Sequence, residues 1–178
     1  MRFFHVQKTR GLTFVEVLVA VAIVAILATI VYASLGEARK KSRDAQRYSD
    51  MLNVQIALRL YKDSNGSYPS TGGAGTWWSV CPDGGSHGTT EANGYIPDLV
   101  PTYLPVLPTE PLGCSHGAGA VKGYIYSSNG TDYKFATDFT TEIGSECKPG
   151  MRFDDPNRGQ GTGGFWFCSI FSPGAANW

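Results

Sequence analysis

Lys8-Thr-Arg-Gly-Leu-Thr-Phe-Val-Glu-Val-Leu-Val-Ala-Val-Ala-Ile-Val-Ala-Ile-Leu27 begins basic and turns almost wholly aliphatic, yet it keeps one carboxylate, Glu16. The uncharged run continues to Leu35, so residues 17–35 hold nineteen positions without a charge. That is close to the twenty or so a helix needs to cross a bilayer at about 1.5 Å per residue. A carboxylate costs about 2.5–3.5 kcal/mol at the centre of such a helix and less near its end, so Glu16 calls for a partner.

Three kinds of N-terminus compete for this stretch. A secretory signal peptide, with Val31-Tyr32-Ala33 as its cleavage site, would release a disulfide-bonded binding module. The apolar run is too long for that, and an acid stands where the run begins. A plain single-pass anchor explains the length but not the acid. The third is carried by the residues themselves. Lys8-Thr-Arg-Gly11 followed by Leu12-Thr-Phe-Val-Glu16 and the aliphatic run resembles the class III leader of type IV pilins and type II secretion pseudopilins. The resemblance implies that a prepilin peptidase cleaves after Gly11 and methylates the new N-terminus of Leu12. It also implies that Glu16 meets the positive N-terminus of a neighbouring subunit during filament assembly, which is the kind of partner a membrane carboxylate requires. Leu12 departs from the phenylalanine most often found there.

Outward from this stretch the helical pattern continues. No proline falls between Gly36 and Lys62, and Ala45, Tyr48, Leu52, Ile56 and Leu60 recur at three- and four-residue steps. Glu37 and Lys41, and Lys40 and Asp44, are opposite charges four apart, so the basic run Arg39–Arg43 reads as a self-paired, solvated face. Asn65-Gly66 with Pro69 beyond supplies the stop. A helix over 12–62 would be about 75 Å long against a hydrocarbon core of about 30 Å, so its second half must pack on something else in the chain.

The rest is glycine-rich and loop-rich. Asn129-Gly130 between Tyr124-Ile-Tyr126 and Tyr133-Lys-Phe135 predicts a hairpin with a type I′ turn. Residues 164–171 predict a further strand, and residues 70–94 a long loop. Asn65-Gly-Ser and Asn129-Gly-Thr match a glycosylation acceptor pattern, but their turn role explains them. Tyr61–Pro69, the Leu-Pro and Glu110-Pro111 of residues 103–113, and the paired tyrosines resemble the helix end and head of major pseudopilins, with Glu110 in place of the usual aspartate. That similarity fades after about residue 140.

The charge is split. Residues 1–62 hold ten Lys/Arg against four acids, and residues 63–178 five against eleven, within a net of +0. The acidic part is a poor surface for phosphate, so no specific nucleic-acid partner is predicted. Cys81, Cys114, Cys147 and Cys168 all lie in that part, and behind a membrane-directed start they predict two disulfides. Three pairings are open, and Cys81–Cys114 with Cys147–Cys168 closes the shorter loops. The spacing of Cys81, His87, Cys114 and His116 does not support zinc. Asp154-Asp155-Pro-Asn157 reads as a solvated loop, although related heads bind calcium nearby, so no metal or cofactor is predicted. Ser86-His87 and Ser115-His116 have no evident orienting partner, and no catalytic constellation emerges.

The expected fold is therefore α+β. Residues 1–11 form a cleaved leader. Residues 12–62 form a long helix with a transmembrane part at 13–35 and an amphipathic second half. Residues 63–178 form an extracytoplasmic head, a small antiparallel sheet with long disulfide-tied loops, packed on that second half. The expected function is a structural subunit of a type IV pilus-like filament, with a major pseudopilin of a type II secretion system as the alternative. The partners implied are further copies in a helical filament, the prepilin peptidase, an assembly platform and the membrane. The implied location is the cytoplasmic membrane before assembly and the cell surface afterwards.

Overall fold

The computed structural model describes residues 11–90, 94–118 and 123–178. The basic leader residues 1–10 lie outside them. The chain divides into two compact units, residues 1–39 and 40–178. One helix, α1, runs through Phe14–Asn65. It begins two residues later and ends three later than the sequence predicts. Its stop is the expected one: Gly66 takes φ +77° and its N–H donates to the Lys62 carbonyl at 2.7 Å.

In the first unit apolar side chains of α1 stand exposed, among them Phe14, Val15, Val21, Val24 and Ile26. Among the described residues no helix is long and apolar enough to cross a membrane. The span at 13–35 thus rests on the sequence.

In the second unit four antiparallel strands follow the helix: β1 (Trp78–Ser79), β2 (Tyr124–Ser128), β3 (Tyr133–Thr141) and β4 (Trp166–Phe171). They lie in chain order, with Trp78, Tyr126, Phe135 and Ile170 in one row across the sheet. Short β1 falls inside the segment read as one long loop. Tyr124, Tyr126, Tyr133, Phe135 and Ile170 form one core with Met51, Val54, Ala57 and Leu58 of α1. The period of two along the strands supplies one wall of it and the helical period the other.

The opposite sheet face is covered as well. Ile125, Ala136 and Phe167 pack there with Trp77 and Phe139. Lys134 is fully buried on that side. Its ammonium donates to Asp155 Oδ2 and to the Ala176 and Trp178 carbonyls, at 3.0, 3.0 and 3.1 Å. The three donors meet three oxygens, so this buried cation is fully satisfied.

Several sequence expectations need correction here. The stripe that α1 buries is Asp44, Arg47, Met51, Val54 and Leu58, whereas Ala45, Ile56 and Leu60 are exposed and Tyr48 and Leu52 half-buried. The buried face has an apolar period of its own, Met51, Val54, Ala57 and Leu58, and it also carries Asp44 and Arg47, whose partners lie in the head, so apolar spacing alone admits either face. With its carboxylate on the head, Asp44 does not pair with Lys40. No ion pair of Lys40 or Lys41 occurs among the described residues. The β2–β3 connection is a four-residue loop, with Ser128 opposite Tyr133, and only Gly130 of its Asn-Gly pair has positive φ. Asn129 Oδ1 instead accepts the N–H groups of Thr131 and Asp132, a side-chain turn that replaces type I′. Asp155 is buried in its bond to Lys134, so residues 154–157 are not simply solvated.

Candidate functional site

The residues singled out around the leader junction lie together at the start of α1. Gly11, Leu12 and Thr13 precede the helix and are exposed, and a Cβ on Gly11 would meet nothing within 4 Å. Thr13 N–H and Thr13 Oγ1–H both donate to Glu16 Oε2, at 2.8 and 2.7 Å. The Glu16 N–H donates back to Thr13 Oγ1 at 3.3 Å. This reciprocal arrangement is a capping box, in which a Thr N-cap and a Glu three residues on satisfy two of the helix's orphan donors. Sequence reasoning gave Glu16 an intermolecular role and missed this local one. The signal was present as Thr13-Phe-Val-Glu16 ahead of an apolar run. Both bonds to Glu16 use Oε2. Oε1 accepts none among the described residues, so the carboxylate caps its own helix and still presents an acceptor.

In the second unit the helix is joined to the head by a buried ion cluster. Arg47 is fully buried; its Nη1 donates to Asp44 Oδ1 at 2.7 Å and its Nε to Glu110 Oε2 at 3.0 Å. Its Nη2 completes a fork on Glu110 Oε1. Asp44 receives the backbone N–H groups of Glu142, Ile143 and Gly144, at 2.9, 2.7 and 3.2 Å. Arg43 holds Glu142 by two bonds, at 2.7 and 2.8 Å. Burial pushes the Glu142 carboxyl up, but the Arg43 hydrogen bonds and the Arg43 and Arg47 charges outweigh it and hold the group below its ordinary range. One turn further along α1, Asp50 accepts the Tyr124 hydroxyl at 2.8 Å. Burial raises the Asp50 carboxyl, with Tyr124 and Arg47 opposing and Glu110 reinforcing.

Both loops that receive the helix are tied by disulfides. Cys81–Cys114 fixes the segment four residues past Glu110, and Cys147–Cys168 fixes the segment three residues past Gly144 to β4. Cys81 and Cys114 are thus spent on each other, and His87 stacks on Trp78 with ring centroids 4.1 Å apart. Among the described residues no His/Cys/Asp/Glu cluster could hold a metal. His116 sits edge-on to Phe165, with ring centroids 5.0 Å apart.

The exposed Gly11–Leu12 junction and the capped aliphatic start of α1 fall within a stretch that is similar to a known motif. Residues 6–32 match the family model described as "Prokaryotic N-terminal methylation motif". Similar proteins carry the name "Type II secretion system core protein G". That of Pectobacterium carotovorum subsp. carotovorum is 34% identical over 64 residues, covering 36% of this chain and 41% of the relative. That of Escherichia coli (strain K12) is 34% identical over 65 residues, covering 36% and 45%. The Aeromonas hydrophila protein is 37% identical over 67 residues, covering 36% and 47%. The match thus spans under half the length of each of these relatives. No solved structure matches.

Proposed function

We propose that this chain is a non-enzymatic structural subunit of a type IV pilus-like filament. It enters the membrane through residues 13–35, is cleaved after Gly11 and methylated on Leu12, and polymerises through α1 into a surface or periplasmic fibre. The observation that carries this reading is the methylation-motif match over residues 6–32, which holds both Gly11 and Glu16. The geometry agrees with it. Gly11 and Leu12 are exposed and non-helical, as a peptidase substrate must be, and Glu16 keeps one carboxylate oxygen for a neighbour's ammonium. The exposed aliphatic side chains of α1 suit lipid before assembly and other copies afterwards.

A second reading within the first is favoured by the name the relatives share. It makes the chain the major pseudopilin of a type II secretion system, whose fibre serves export rather than adhesion.

N-terminal sequencing and intact mass of the mature protein test the proposal. The expected result is a chain starting at monomethylated Leu12 with both disulfides intact, and Gly11→Glu should leave the full-length chain in the membrane. A mature N-terminus at Ser34 would show ordinary signal-peptide removal and end the filament reading.

A further inference from the structure

A groove of about 420 Å³ runs along the head between α1 and residues 103–108. Its walls are apolar, from Ile56, Leu104, Val106 and Pro108, and Asp50 and Asn53 are the polar groups on its helix side. Ile56 and Val106 are 56% and 46% exposed, so the groove is open. Asp50 has a single hydrogen-bond partner among the described residues, the Tyr124 hydroxyl on Oδ2, and its half-buried carboxylate lines the groove. A half-desolvated carboxylate between apolar walls fits a lysine side chain. The walls cover the four methylenes and the carboxylate meets the ammonium.

This chain carries such lysines itself. Lys40 and Lys41 are exposed, make no ion pair among the described residues, and stand in the basic half of a chain whose head is acidic. Resting on the filament reading above, we infer that the Asp50 groove is the receptor for the Lys40–Lys41 ridge of a second copy. It would thereby set the lateral register of α1 segments between subunits. Cover for the groove and counter-charge for the ridge would come from one contact, repeated at every subunit.

The test is a photo-crosslinking residue at exposed Asn53, in cells making the full chain, read in both the sheared-fibre and membrane fractions. The expected product is a dimer in which position 53 is linked to the segment 37–47 of another copy. Its yield should fall about tenfold in Asp50→Asn and in the Lys40→Gln/Lys41→Gln double variant, the loss expected for one partly desolvated charge pair. Asp50→Asn keeps the acceptor for Tyr124, and the lysines are exposed, so both variants should retain the two disulfides and an unchanged unfolding transition. A link to a different segment or to lipid, no dimer in either fraction, or an undiminished dimer in the lysine variant would overturn the groove assignment. Absence of fibres from processed protein would instead refute the filament reading, and the groove would then be judged by the linked peptide in the membrane fraction.

Discussion

Arg47 is the side chain on which the helix–head junction turns. It is fully buried with a two-pronged bond to Glu110 and a third bond to Asp44. A buried pair of this kind adds little over a well-packed apolar substitute, but removing one partner strands the other. Arg47→Ala should therefore lower the unfolding free energy of the head by about 3–5 kcal/mol, whereas Arg47→Met combined with Glu110→Leu should recover much of the loss. Denaturant midpoints of the two variants check this. A single Arg47→Ala as stable as the parent would show the cluster to be dispensable. Gly144 is a second such position. Its φ is +63°, its N–H donates to Asp44, and a Cβ there would collide with the Trp166 indole. Gly144→Ala is strained both by conformation and by space, so it should destabilise the head and raise hydrogen exchange at residues 142–144.

At the scale of the element, the capping box gives α1 a defined start, and it separates two roles for Glu16. Glutamine at that position still accepts the Thr13 N–H, so Glu16→Gln should keep the cap while losing the charge. Processing after Gly11 should proceed in this variant and fibre yield should collapse, because a neighbour's ammonium would be left in an apolar bundle without a carboxylate. Thr13→Val loses the hydroxyl from the cap, at about 1 kcal/mol of local helix stability, but keeps the carboxylate, so fibres should still form. Counts of sheared fibres alongside the N-terminal sequence of each variant decide it. Normal fibres from Glu16→Gln would assign Glu16 to capping alone.

Across the whole molecule, acid should loosen the grip of the head on α1. The Glu142 carboxyl is held below its ordinary range, so its unfolded form takes up a proton first as pH falls. The stability it contributes is fully present above the unfolded value of about 4.3 and is lost as pH drops through the lower folded value. Denaturant midpoints should fall between about pH 5 and pH 3, and the fall should be shallower in Glu142→Gln. The disulfides act on the same junction. Closing loops with sequence separations of 33 and 21 stabilises by about 3–4 kcal/mol each in the chain-entropy view. Replacing Cys147 and Cys168 by serine should therefore expose the amides of residues 142–144 to exchange before the sheet itself opens.

Much of this was legible in the chain. Glycine before an aliphatic run with one acid marked the prepilin-type leader, where the methylation motif matches residues 6–32. Apolar spacing announced α1, Asn65-Gly66 its end, and the paired tyrosines the β2–β3 hairpin. These are local signals, written within a turn of helix or a few strand residues, and backbone physics reads them without the rest of the molecule. Thr13-Phe-Val-Glu16 is an equally local signal, the capping-box spacing ahead of an apolar run. What only the tertiary structure decided is which face of α1 turns inward. The partners of Asp44 and Arg47 in the head lie 63 to 100 residues away in loops without periodicity. The choice lies between the face of Asp44 and Arg47, which also carries Met51, Val54 and Leu58, and the face of Ile56 and Leu60. No window of sequence contains that comparison, because both sides of it exist only once the chain has folded.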